Sequence, residues 1–190
     1  AGNEVTAIAR VEVASPDRSN SAHTVTRELY GGYSNNYLPD GLYVGQDAYY
    51  AVPDTVVDYA DDGTRRHGQF FLNGSWTNRE SSLVAGPTSI DSPSHVAFDF
   101  FATSVNAVLG APGESQQVIV EIDRAPVSIN EAGPDISWDS NGNSVVLVSD
   151  ARLYQIIELP EFGKHELKLK TNSEGLAFYT VTFGVNEFGP

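Results

Sequence analysis

Nine tyrosines and two tryptophans are many for a chain of 190 residues. Several of them lie in polar company: Tyr30, Tyr33, Tyr37, Tyr43, Trp76, Trp138 and Tyr154. An aromatic plane can stack on the apolar C–H face of a sugar ring, while Arg, Asp, Glu and Asn side chains bond its hydroxyls. A buried tyrosine or tryptophan with one satisfied polar atom is the plainer role for any single one of them. The stretch "DARLYQIIE" (150–158) poses the choice directly. Strand alternation puts Arg152, Tyr154, Ile156 and Glu158 on one face, and Ala151, Leu153, Gln155 and Ile157 on the other. Leu153 and Ile157 then supply the core, while Arg152 and Tyr154 either hold a ligand or bind each other or a buried acid.

Other chemistries find less support. The histidines His23, His67, His95 and His165 are scattered, with no HxH or HExxH spacing, so they read as surface or capping residues rather than metal ligands. No GxSxG elbow marks a nucleophilic serine. With 25 acidic residues some carboxylates always lie close together, so a glycosidase pair has no sequence signature here. "DSNGNS" (139–144) places Asp139, Asn141 and Asn143 at alternate positions, like the start of a calcium loop, but Ser144 stands where the loop glycine belongs. A hairpin turn accounts for the same residues; if a structural calcium is present, these three are its candidates. No other cofactor is expected.

The elements that must position these residues are strands. "KHELKLKT" alternates Leu167 and Leu169 with charged residues; "HVAFDFFATS" sets Val96, Phe98 and Phe100 against Asp99; "QQVIVEID" sets Val118, Val120 and Ile122 against Glu121 and Asp123. "LAFYTVTFG" is aromatic and β-branched throughout, as in the middle of a sheet. Turn chemistry at 38–41, 61–63, 72–75, 111–114, 140–143 and 172–175 divides roughly ten short strands. No sustained helical periodicity competes. The pattern predicts an all-β fold, an antiparallel β-sandwich of jelly-roll type over residues 24–190, with residues 1–23 an N-terminal extension or edge strand.

Composition bounds the partners. The formal net charge of −14 disfavours nucleic acid, and "RRH" (65–67) is offset by the preceding "DYADD". With no cysteine, the chain has neither disulfides nor dithiol redox chemistry. No apolar run approaches the ~20 residues that span a bilayer, so membrane insertion is not expected.

Six segments in order, "TRELYGGY" (26–33), "LNGSWTNRESSLVAG" (72–86), "VAFDFFATSVNAVLGAP" (96–112), "VIVEIDRAPV" (118–127), "RLYQIIEL" (152–159) and "HELKLKTNSEGLAFYTVTFG" (165–184), resemble the C-terminal β-sandwich domain of DipZ-type thiol–disulfide oxidoreductases and related thioredoxin-family proteins. The Arg-Leu-Tyr strand, the Gly-x-Trp at 74–76 and the closing "GLAFYTVTFG" carry it most specifically. The resemblance covers about residues 24–184 and implies a carbohydrate-binding-module-like sandwich in an extracytoplasmic setting. Redox chemistry in that family resides in a preceding thioredoxin domain, so the chain is either a module cut from a longer protein or a free-standing relative. The family supplies no catalytic residues to transfer. The charged loop 52–68 looks longer than the family's usual connection and is expected to reshape one end of the sandwich.

The expectation is therefore a non-catalytic module that binds an oligosaccharide or cell-envelope glycan. Trp76 or Tyr154 would stack on the ligand, Arg152 and Glu28 would bond its hydroxyls, and Tyr30 and Tyr33 would lie alongside. Two alternatives are a domain that docks a thioredoxin-like domain or its substrate, and a jelly-roll glycosidase or lyase.

Overall fold

A computed structural model describes residues 24–36, 42–88 and 92–185. The expected extension 1–23, Tyr37 and the turn at 38–41 lie outside the described residues. The strands are β1 (Leu29–Tyr30), β2 (Val56–Tyr59), β3 (Phe70–Asn78), β4 (Leu83–Ala85), β5 (Ser94–Gly110), β6 (Gln116–Ile122), β7 (Ala125–Pro126), β8 (Ile136–Trp138), β9 (Ser144–Val148), β10 (Arg152–Thr171) and β11 (Ala177–Gly184). One four-residue helix, α1 (Ala48–Ala51), precedes β2.

The strands hydrogen-bond in the order β1-β11-β4-β3-β5-β10-β6-β9-β8, with β2 on β3 and β7 on β6, all named pairs antiparallel. Two long strands organise the sandwich. β5 and β10 pair along almost their whole lengths, from Arg152 opposite Leu109 to Thr171 opposite Ser94. β11 borders one half of β5 (Ser104–Gly110), and β3 borders the other (His95–Phe98). Register shifts at Gln155/Ile157 and Glu158/Gly163 kink β10 midway, as bulges do where a strand passes between layers. One layer is thus β1-β11 with the first half of β10; the other is β3, the second half of β10, β6, β9 and β8.

The core lies between these layers. Phe70 of β3 meets Phe178 of β11 edge-on at 5.5 Å, and Phe183 of β11 stacks on Phe100 of β5 at 5.8 Å. The alternations expected from sequence hold: Val96, Phe98, Phe100, Val118, Val120, Ile122, Leu167 and Leu169 are all buried. At β10 the faces are reversed. Tyr154 and Ile156 are fully buried while Leu153 is 44% exposed, and the bulge after Gln155 turns Ile157 inward as well.

Two further expectations change. "LNGS" (72–75) is not a turn: β3 runs straight through it, and Gly74, with φ of +81°, makes a local kink. A Cβ at Gly74 would lie 2.3 Å from Ser94 Oγ, so close approach requires glycine as well. Likewise "RLYQIIEL" and "KHELKLKT" are one bent strand, because Pro160 and Gly163 sit within the kink rather than ending it. The remaining turns form as expected, with Gly63, Gly113, Gly142 and Gly175 at positive φ.

Candidate functional site

Tyr154 and Arg152 do meet, through a cation–π contact. Tyr154 is buried; its hydroxyl donates to the Asp150 carbonyl (2.9 Å) and accepts from the Ser149 N–H (3.1 Å). The Arg152 guanidinium lies 3.7 Å from the centre of that ring and binds Asp135 at 2.7 and 3.3 Å. Asp135 also accepts from the Gln155 amide (2.8 Å). The Arg152 hydrogen bond, more than any other influence, holds the Asp135 carboxyl below its usual range. Trp76 is 1% exposed, with its indole N–H on the Asn73 carbonyl (2.9 Å). Neither ring expected to stack on a sugar presents a face to solvent.

Glu28 and Tyr30 are brought together. They lie on the outer face of the β1-β11 layer, where Thr180 donates to Glu28 at 2.9 Å. Hydrogen bonding to Glu28, reinforced by burial, pushes the Tyr30 phenol up to about 12. Tyr33 lies apart from them: its backbone N–H bonds the Arg79 carbonyl and its hydroxyl donates to Asp54 (3.3 Å). Asp139 accepts from the amides of Asn141 and Asn143 and from the Asn143 side chain, each at 2.9 Å. Its carboxylate thus closes the β8–β9 hairpin. Among the described residues no group of three or more His, Asp or Glu is arranged to hold a metal.

The face that carries Tyr30 continues across four strands. Tyr30 faces Thr180, Thr180 faces Val108, and Val108 faces Leu153. In the next row Thr182 faces Asn106, and Asn106 faces Gln155. These side chains point outward because Ala107, Val181 and Tyr154, at the intervening positions, are buried. At ~4.8 Å per strand the face spans ~14 Å. It offers amides, hydroxyls, one phenol and two aliphatic contacts, Val108 and Leu153, with Glu28 and Glu158 at its borders. The far edge of β10 is closed by loop 131–135, where the Gly133 amide bonds Ile156 and Asp135 bonds Gln155. In sequence this face is visible only as the polar half of "TSVNAVL", "TVTF" and "LYQ", with no motif to flag it.

The outer face of the other layer is charged. The loop after β2 lays Asp61 and Arg65 onto it. Arg65 binds Asp61 through two bonds (2.7 and 2.9 Å) and Glu166 at 2.9 Å, while His95 meets Asp61 at 2.9 Å. Burial works to raise the Asp61 carboxyl, but bonds from Arg65, His95 and the Gly63 amide outweigh it and hold it well below the usual range. Burial lowers His95, with Asp61 opposing. The cross-strand carboxylates Asp99 and Glu166 are each bound to a cation, Lys164 (2.7 Å) and Arg65. Trp138 is the tryptophan that reaches the surface, 42% exposed, with its N–H on the Val127 carbonyl (3.0 Å).

An antiparallel sandwich with one neutral and one ion-paired outer face defines an all-β, non-thioredoxin module. Residues 26–184 match the family described as the thioredoxin-like C-terminal domain, and the chain belongs to that family. The span agrees with that of the resemblance drawn from the strand and turn motifs. Among solved structures, a family two carbohydrate esterase from Cellvibrio japonicus is similar at 14% identity with a TM-score of 0.46. The match covers 68% of this chain and 32% of that structure, about a third of its length. No curated protein matches.

Proposed function

We propose that the chain is a non-catalytic glycan-binding module whose platform is the outer face of β1, β11, β5 and β10. The observation that supports this most directly is that the two rows Tyr30–Thr180–Val108–Leu153 and Thr182–Asn106–Gln155 carry no charged side chain, in a chain of formal net charge −14. Asn106, Gln155, Thr180 and Thr182 can both donate to and accept from sugar hydroxyls, and Leu153 and the Tyr30 ring offer contact to C–H faces. A neutral oligosaccharide meets no repulsion there, whereas nucleic acid would meet the acidic surround. The ligand contacts are thus Glu28 and Tyr30 of the residues expected from sequence, without Trp76 or Tyr154. The reading places the module outside the cytoplasm, beside a thioredoxin-like domain of a longer protein.

Calorimetric titration with neutral cell-wall and plant oligosaccharides tests it. Binding weakened at least tenfold by Asn106→Ala with Gln155→Ala is the expected result; no binding by the wild type refutes it. Exposed Leu153 at the β10 end of the face favours a second reading, docking of the thioredoxin-like domain itself. Leu153→Asp would then abolish capture of that domain, with glycans inert.

A further inference from the structure

A second concave site lies on the opposite, charged layer. There the kink of β10 and the β6–β7 turn border an open cleft of about 380 Å³ lined by Asp99, Asp123, Arg124, Lys164, His165 and Glu166. All six are ionisable, and five are already engaged. Lys164 binds Asp99 (2.7 Å), Arg65 binds Glu166 (2.9 Å), and His165 Nδ1 meets Asp123 (2.7 Å), whose other oxygen accepts from the Glu166 amide (2.9 Å). Arg124 has no partner among the described residues. Every other described arginine is committed: Arg27 over Tyr43, Arg65 to Asp61, Arg66 to the Gly45 carbonyl, Arg79 to Asp54 and Arg152 to Asp135.

The backbone beneath Arg124 is held at a cost. Ile122 pairs with Ala125, so Asp123 and Arg124 are the central residues of a two-residue hairpin turn, at φ of +49° and +67°. Such turns favour Asn-Gly or Asp-Gly, and arginine in the left-handed region is strained. Strain retained beside a cleft is a feature of binding and catalytic positions. His165 is also open on one side. With Nδ1 on Asp123, its Nε2 lies over Gly163, where a Cβ would come within 3.0 Å of it.

We infer that this cleft binds a sugar acid, a hexuronate unit whose carboxylate pairs with Arg124 and whose hydroxyls donate to the spare lone pairs of Asp99, Asp123 and Glu166. Arginine is the side chain that matches a carboxylate through two parallel N–H bonds. A phosphate dianion would bring two negative charges against the three carboxylates across the same space, where the uronate brings one. An amino acid's ammonium would compete with the cations those carboxylates already hold, whereas neutral hydroxyls need only an acceptor. The inference does not depend on the neutral face, which lies on the other layer.

The probes are tri-galacturonate, its methyl ester, inorganic phosphate and glycine, read by amide shifts of residues 122–125 and 163–166 and by calorimetry. Tri-galacturonate is expected to bind and the methyl ester to bind at least tenfold more weakly. Arg124→Gly is the decisive variant. It relieves the turn, so its Tm should rise by a few degrees, while tri-galacturonate affinity falls at least tenfold. Asn106→Ala should leave this binding unchanged, which separates failure of this site from failure of the neutral platform. Equal binding of the methyl ester, unchanged affinity in Arg124→Gly, or the same shifts produced by phosphate or glycine alone would overturn the assignment.

Discussion

The guanidinium of Arg152 lies over Tyr154, 3.7 Å from the ring centre, and its nitrogens bind Asp135 on the neighbouring loop. The pair is a clasp: it seals the end of the core and ties loop 131–135 to β10. Arg152→Ala should cost about 1 kcal/mol, the scale of a cation–π contact and ion pair open to solvent. Tyr154→Phe should cost a similar ~1 kcal/mol for the lost hydroxyl bonds, and Tyr154→Ala about 3–5 kcal/mol for the cavity. Urea unfolding measures all three. An Arg152→Ala variant of unchanged stability and weakened glycan binding would return this residue to the ligand.

The Asp61–Arg65–His95 cluster should make stability fall in two steps on acidification. His95 is held lower in the folded chain, so its contribution is intact above its unfolded value of ~6.5 and is lost as pH drops through the range below. Asp61 is held lower as well, so its contribution is intact above ~4 and is lost further into acid. His95→Gln should flatten the first step and Asp61→Asn the second, the latter costing about 3 kcal/mol at pH 7. Denaturation midpoints from pH 8 to pH 3 decide it.

Gly133 covers the β10 edge at a point where no side chain fits. A Cβ there would sit 2.4 Å from the Gln155 carbonyl oxygen, which is backbone and cannot swing aside. Gly133→Ala should therefore cost about 2 kcal/mol or more and, by lifting the loop from the edge, promote association between chains. Light scattering beside thermal melts would show both effects; a monomeric variant of normal stability would show that the loop repacks freely.

Asp139 should be indifferent to calcium. Its oxygens already serve three N–H donors of the hairpin, so calcium or a chelator should leave Tm unchanged, whereas Asp139→Ala should lower it. A calcium-dependent rise in Tm that vanishes in Asp139→Ala would restore the metal site.

Period-two alternation made the sandwich legible, because the core reads only one side of each strand. It could not show that β10 is continuous. Pro160 and Gly163 look the same to local chemistry whether they end a strand or kink it, and only pairing with β5 across both halves decides which. The site was harder still. Trp76 and Trp138 share a side-chain type, but one fills the core and the other reaches solvent, a difference set by layer packing. The faces of "RLYQ" reverse for the same reason, and the bulge after Gln155 turns Ile157 inward beside Ile156. Arg124 was unremarkable in sequence because its meaning lies in what it lacks, a partner, and in the left-handed turn beneath it.

β5 and β10 run through both layers, and that continuity bears on how the domain resists force and forms. Neither layer can peel away while the other stands, since the same two strands stitch each to the next. Pulled at its ends or warmed, the module should give way in a single event. Its assembly must wait for pairings between residues far apart in the chain, such as Arg65 with Glu166 or Leu29 with Val181. The domain trades quick folding for indivisibility.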